Sequence, residues 1–423
     1  MQQRERIVTN RQTLKSKIAA CRPLFSLAYA LRRAQQRFLL WLAARRHPLD
    51  RRLVLFDSFQ SNHYNDSPKA LYQALIAVYP DKRAVWVLRR PDAMRETPDL
   101  PRTEIVLYDT PAYRRAMVTA GTVVTNSMTP PFWRPRRGQT LIQTWHGTPL
   151  KRLGCDLTVG GNALDTLRQT HRRYRRQGRL MNRLLSPSVY CTDKLSSAFG
   201  LTAAQRAAKV IETGYPRNDR LSTATPDEIA ALRKKLDLPL DKKVILYAPT
   251  YRDDQRQGQD FVYTPPEGFD RLVEALGDTA IILFRAHYFV SNALDFTRYA
   301  GKVRRADEVE DINELYLCSD LLITDYSSVF FDYALLRRPI VLYMYDLESY
   351  RDELRNFYLD VSELPFPVVR TADELIGQVR HALADFAPGA EYTAFLDRFA
   401  PHEDGDASRR VWKAIWPENP PAV

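Results

Sequence analysis

The sequence has 423 residues, 45% hydrophobic and 11% aromatic, too long for a single core and too apolar for a disordered chain, so two folded domains of ordinary size are expected. A net charge of +12 would suggest nucleic acid as a partner, but residues 1–52 hold thirteen Lys or Arg against only Glu5 and Asp50, and the remainder is close to neutral. Four scattered cysteines without CxxC spacing exclude a zinc ribbon and a disulfide framework and suit a reducing cytosol, while no apolar run reaches the roughly eighteen residues of a membrane span. No secretory leader with a small-residue cleavage site is visible, so a chain neither exported by that route nor integral to a membrane is expected.

Leu24, Leu27, Ala28, Leu31, Ala34, Phe38, Trp41 and Leu42 recur at helical spacing with Arg32, Arg33 and Arg37 on the flanks. A helix packed on its own domain would show this pattern. So would an amphipathic arm, residues 1–50, lying on an anionic membrane surface, and the concentration of charge beside aromatic rings favours the arm. RLVLFDSF (52–59) then reads as a strand, SPKALYQALIAVYP (67–80) as a helix opened by Ser67, and RAVWVLR (83–89) as the next strand. TEIVLY, GTVVTNS and TLIQTW continue as strands, with helix PAYRRAMVTA between the first two, and HRRYRRQGRLMNR (171–183) reads as a helix with a basic face. A second series opens near AKVIETG (208–214) and runs through KKVILYAPTYRDD, IILFRAH, DLLITDYSS and PIVLYMY, with helices DINELYLC and SVFFDYALLRR between its later strands. Strand and helix alternating in two blocks predict two parallel-sheet α/β domains, 51–200 and 201–388, followed by a helical tail over 389–423. Such domains bind ligands at the carboxyl ends of their strands, in the cleft between them.

Polar clusters sit at those ends. In QTWHGTPLK (143–151) the strand stops before His146, Gly147 permits a tight turn and Pro149 prevents a helix, leaving an imidazole suited to general-base work. A structural histidine bonded to a nearby carbonyl is the competing reading. TGYPRND (213–219) and APTYRDD (248–254) each follow a strand and offer an arginine, Arg217 or Arg252, for phosphate, unless each pairs with its neighbouring aspartate. FRAH places Arg285 and His287 together, a pairing that suits an anion. In LLITDYSSVFFDY, Ser327 and Ser328 stand at a helix start that favours an anion, and Asp332, one turn on, suits the hydroxyls of a ribose or polyol. A simple capped helix is the alternative. P-loop and dinucleotide fingerprints are missing, and no His, Cys and carboxylate group has metal-site spacing, so no metal is expected. These residues describe a site for a diphosphate ligand with hydroxyls, and group transfer from an activated phosphate donor.

WHGTPLKRLG, TGYPRND, ILYAPTYRD and DINELYLCSDLLITDYSSVFFDYALLRRPIVLYMYDLESYRD, in that order, resemble the successive blocks of the CDP-glycerol glycerophosphotransferase family, whose members build or prime teichoic acids and related capsule and surface polymers. The resemblance runs from Arg52 to Arg370. It implies a GT-B architecture of two Rossmann-like domains, the second holding the nucleotide. It also implies attack of an acceptor hydroxyl on the glycerol-bearing phosphate of CDP-glycerol, with release of CMP. Carried over by motif, His146 becomes the general base, with Trp145, Gly147, Thr148 and Pro149 against the substrate. His287 and Arg285 steady the diphosphate, Arg217, Pro249, Thr250, Ser327 and Ser328 grip the donor, and Asp332 takes its hydroxyls. The resemblance further implies a lipid-linked glycan acceptor, a peripheral position on the cytoplasmic membrane face, no cofactor and no nucleic acid. A CDP-ribitol donor or a sugar nucleotide stays open. MNRLLSPSVY (181–190) departs from the pattern, with Asn182 and Arg183 where the family often carries an Asp-Tyr pair.

Overall fold

The computed structural model describes residues 22–90, 101–158, 166–250, 256–257, 260–261, 268–285, 297–349 and 357–417. Two all-parallel sheets organise them. The first joins β1 (Asp50–Asp57), β2 (Arg83–Leu88), β3 (Thr103–Leu107), β4 (Ala120–Thr125), β5 (Thr140–Gln143), β6 (Arg183–Ser186) and β7 (Val210–Glu212) in the order β3-β2-β1-β4-β5-β6-β7. After β8 (Lys243–Ala248) comes a short antiparallel ribbon, β9 (Arg256–Gln257) with β10 (Asp260–Phe261). The second sheet adds β11 (Ala280–Phe284), β12 (Val303–Arg305), β13 (Leu321–Thr324), β14 (Ile340–Tyr343) and β15 (Val368–Val369) to β8, ordered β12-β11-β8-β13-β14-β15.

Helices cover both faces of each sheet, so strand residues alternate between two apolar layers and not between core and water. Leu55, Val85, Val87, Val123 and Leu141 enter one layer of the first domain, and Val54, Phe56, Trp86, Val124 and Ile142 the other. In the second domain Val244, Leu246 and Leu322 face one way, and Ile245, Tyr247 and Ile323 the other. In both sheets the strand order reverses at the centre, between β1 and β4 and between β8 and β13. Crevices for ligands open at such reversals.

The packing departs from the expected boundaries in three places. β7, placed by sequence at the head of the second domain, pairs with β6 at the edge of the first sheet, Leu184 opposite Val210. A three-residue strand carries too little pattern to declare its sheet. The stretch after 389 is not one tail: Tyr392, Phe395 and Phe399 pack into the second domain, whereas Trp412 returns to the first, donating from Nε1 to Leu71 O at 2.9 Å. The basic arm, finally, is partly built in. Its helix, Arg22–Arg46, buries Gln36 and Leu40 on the first domain, with Gln36 Nε2 donating to Asp109 Oδ1 at 2.8 Å. Leu27, Leu31, Phe38 and Trp41 lie on the opposite side of the same helix, 49% to 63% exposed. No helix among the described residues is long and apolar enough to cross a membrane.

Candidate active site

His146 follows β5 across a backbone reversal in which Trp145 adopts φ 55°, a conformation that costs a bulky residue about 1–3 kcal/mol. The turn sends the Trp145 indole into the first core, 5.3 Å from the ring of Phe199, and stacks the imidazole on its outer side at 4.3 Å. Trp145 therefore backs His146 instead of facing a ligand, because its side chain is only 5% exposed. Phe59 flanks the imidazole at 5.7 Å.

His146 Nδ1 lies 2.8 Å from Asn126 O. A carbonyl can only accept, so Nδ1 carries the proton and the lone pair of the neutral ring is on Nε2. His146 is a solvent-exposed residue among buried neighbours, which leaves a path for a hydroxyl. The surrounding protein nevertheless lowers its pKa from the ordinary 6.5: desolvation dominates, the Asn126 bond and Asp66 oppose it, and Arg217 adds to the lowering. The competing readings of this histidine thus coincide, since the carbonyl bond is what fixes the tautomer a base needs.

Beyond His146 the chain crosses to the second domain. Gly147 comes so close that a Cβ there would stand 2.9 Å from Ser328 Oγ, and Gly147 O accepts from Tyr215 Oη at 3.2 Å. Thr148 is buried with its hydroxyl 3.5 Å from Cys191 Sγ, Pro149 O accepts from Tyr190 Oη at 2.8 Å, and Leu150 lies in the second core. Thr148 and Pro149 thus serve the crossing; neither aims a polar side-chain atom at the cleft.

Opposite His146, the Asp325 carboxylate accepts from Thr250 N at 2.7 Å, from Thr250 Oγ1, and from Tyr326 N at 2.6 Å. It ties the end of β8, with Pro249 and Thr250, to the end of β13 at the sheet's reversal. Asp325 is therefore not the cap of the following helix, and Ser328 at its N-cap makes no side-chain capping bond. That helix, Val329–Tyr333, is only five residues long, so an anion there would depend on the two serine hydroxyls more than on a dipole.

Arg217 and Asp332, read from sequence as separate ligand contacts, are held by each other. Arg217 Nη2 reaches both carboxylate oxygens at 2.9 and 3.0 Å, and Asn218 Nδ2 adds a bond of 3.0 Å. Both side chains are buried, and Asp66 Oδ1 lies 3.8 Å from Arg217 Nη1, which itself makes no hydrogen bond. Burial opposes the guanidinium charge, but Asp332 and Asp66 more than offset it and raise its pKa. The neighbouring Asp219, the partner suggested by sequence, instead accepts from Ala407 N and Ser408 N, both at 2.8 Å, at the start of the last helix. Arg285 donates from Nη1 to Ala306 O at 2.7 Å and to Val309 O, bracing the loop after β12. His287 and Arg252 lie outside the described residues. Asn182 completes the pairing of β5, donating from N to Leu141 O and accepting from Leu141 N.

One group was not legible as a site: the SNHYND turn after β1. His63 Nδ1 and Tyr64 N approach Glu310 Oε1 at 2.9 and 3.0 Å, and Asn65 Nδ2 donates to Glu310 O at 3.0 Å, bridging the domains. Ser61 and Asp66 within it, and Phe59 and Gln60 just before it, have positive φ, a strain signature. In the sequence its only sign was a polar, Asn-rich turn at a strand end.

Residues 39–417 match the profile of the family described as CDP-glycerol:poly(glycerophosphate) glycerophosphotransferase. The chain belongs to this family. It is 36% identical over 389 residues to a teichoic acid poly(glycerol phosphate) polymerase of Staphylococcus epidermidis, covering 91% of this chain but 53% of that protein. This chain thus spans about half of that relative. It is also 36% identical over 377 residues to a teichoic acid glycerol-phosphate transferase of Staphylococcus aureus, covering 87% of this chain and 93% of that one. Among solved structures, the wall teichoic acid polymerase TagF, as a histidine variant soaked with CDPG, aligns with a TM-score of 0.80 at 34% identity, over 92% of this chain and 95% of that one. The GT-B architecture implied by the sequence blocks is therefore that of this chain.

Proposed function

We propose that this chain transfers glycerol phosphate from CDP-glycerol to a hydroxyl of a lipid-linked glycan or glycerol-phosphate acceptor in the synthesis of teichoic acid or a related surface polymer. The observation that carries the reading is His146, with Nδ1 committed to Asn126 O and Nε2 free for a proton at the point where the two domains meet. The acceptor oxygen attacks the glycerol-bearing phosphorus and forms the new P–O bond. His146 Nε2 takes the hydroxyl proton, and the P–O bond to CMP breaks with its electron pair leaving on CMP. Ser327 and Ser328, with Thr250 fixed beside them by Asp325, supply hydroxyl and backbone donors to the donor's phosphates, and Arg285 and His287 add positive charge. Arg217 and Asp332 form a buried pair whose cation acts on the His146 ring.

The test is a donor panel. CDP-glycerol should yield acceptor-dependent CMP, with no comparable nucleotide release from CDP-ribitol or sugar nucleotides; turnover of a sugar nucleotide in its place would overturn the assignment.

We further propose that the enzyme sits peripherally on the cytoplasmic membrane face through the arm helix. Leu27, Leu31, Phe38 and Trp41 form one exposed row, with Arg45 over the Trp41 ring at 4.2 Å, a combination suited to anionic headgroups. Deleting the arm would uncover Leu40's packing site, so substitution is the cleaner experiment. Changing the four exposed residues to Ser should abolish co-sedimentation with anionic vesicles while thermal unfolding stays as in wild type. Undiminished sedimentation would remove the anchoring role.

A further inference from the structure

Each sheet of this protein is clasped at its central reversal in the same way. In the second domain, Asp325 at the end of β13 holds Thr250 beyond β8. In the first, Asp57 at the end of β1 holds Thr125 at the end of β4, Thr125 Oγ1 donating to Asp57 Oδ2 at 3.0 Å. The second clasp fronts the proposed donor site. The first opens into a cavity of about 650 Å³ between the sheet, the arm helix and the Leu167–Leu180 helix.

The walls of that cavity are unusual in charge. Arg33 and Arg37 enter from the arm helix, Arg172, Arg176 and Arg179 from the Leu167–Leu180 helix, and Arg134 from the loop before β5. None of these six has a carboxylate within ion-pair distance among the described residues. Arg33 Nε is buried with no hydrogen-bond partner. Among the described residues Asp57 is the only carboxylate lining the cavity, and its oxygens are taken by Ser61 Oγ at 2.7 Å and Thr125 Oγ1. Arg176 is anchored by carbonyls, among them Pro130 O at 3.0 Å, and its pKa is pushed down to about 10 by burial and then by Arg134, Arg33, Arg37 and Arg179. Six arginines facing a single carboxylate among the described residues leave an excess of positive charge that an entering anion offsets. Gly178 keeps the arginine-bearing helix in place, because a Cβ there would stand 2.5 Å from Phe199 O.

We infer that this cavity binds phosphate groups of the acceptor, the diphosphate or phosphodiester stretch next to its reacting hydroxyl. Arginine forks suit phosphate oxygens, and a volume of about 650 Å³ holds more than one phosphate unit. The position fits an acceptor anchored in lipid. Arg33 and Arg37 belong to the helix that exposes Leu27, Leu31, Phe38 and Trp41, so the mouth lies beside the row proposed to meet the membrane. The inner end fits the chemistry. Thr125 lines the cavity, and the next residue, Asn126, supplies the carbonyl that orients His146. A chain held by its phosphates in the cavity would need to extend past the end of β4 to present its hydroxyl to Nε2.

This inference rests on the proposed transfer reaction, and its test separates the two. The full chain is titrated calorimetrically with a short soluble glycerol-phosphate oligomer lacking lipid, and separately with CDP-glycerol. Arg37→Gln with Arg172→Gln, and Arg134→Gln with Arg179→Gln, alter exposed side chains that make no hydrogen bonds, so the fold is spared. Each pair should weaken oligomer binding at least roughly tenfold and flatten its salt dependence, with Lys at the same positions restoring part of the affinity and CDP-glycerol binding unchanged. Oligomer binding that is absent in wild type, or unaffected by the Gln pairs, overturns the inference while retained CDP-glycerol binding leaves the donor reading standing. Failure of wild type to bind CDP-glycerol overturns the donor reading, and the oligomer titration still decides the cavity. If the Gln pairs instead lose only binding to phosphatidylglycerol vesicles, the phosphates are membrane headgroups and the acceptor assignment falls.

Discussion

His146→Ala is expected to lower acceptor-dependent CMP release by about a hundredfold or more, with little change in the affinity for CDP-glycerol, because a general base acts in the transition state and not on the bound donor. Wild-type kcat/KM should rise with pH along an acid limb whose midpoint lies below the ordinary imidazole value of 6.5, since desolvation lowers the pKa of this ring and only the neutral form can take a proton. The acid limb should disappear in the variant. A variant within a few-fold of wild type, or an acid limb that survives the substitution, would assign the proton to another group.

Asp332→Ala is expected to destabilise the protein by about 3–5 kcal/mol, read as a fall in the denaturant midpoint, because it strands the Arg217 guanidinium without its bidentate partner in a buried position. Asp66, 3.8 Å from the other end of that guanidinium, compensates only in part. Removing the cation as well, in Arg217→Met with Asp332→Ala, should recover a large share of the loss, and the cycle of four proteins measures the coupling. An Asp332→Ala protein as stable as wild type but with weakened donor binding would restore the sequence-based role of this carboxylate as a ligand contact.

The fold was legible where the sequence carries long runs buried on both faces, as in KVILYA and AIILF, for their length and β-branched content declare central parallel strands. β6 and β7 were harder because RLLS and VIE are too short to show a pattern, and only pairing across the sheet defines them. His146 stood out through its turn, but its orienting partner is a main-chain carbonyl, which has no sequence signature. Arg217 and Asp332 were each visible, yet 115 positions separate them, and a reader of sequence pairs Arg217 with adjacent Asp219. The cationic cavity was visible only as two separate basic stretches, in the arm and around 171–183, until the fold brought them face to face.

The short crossing after His146 fixes how the two domains can move. Trp145 is rooted in one core and Leu150 in the other, and five residues fully extended span at most about 18 Å. The strap therefore permits little separation, and widening of the cleft must proceed as rotation about it. Points near a pivot travel least. The histidine beside it would keep its aim while the far rims of the cleft swing apart to exchange CMP for fresh donor.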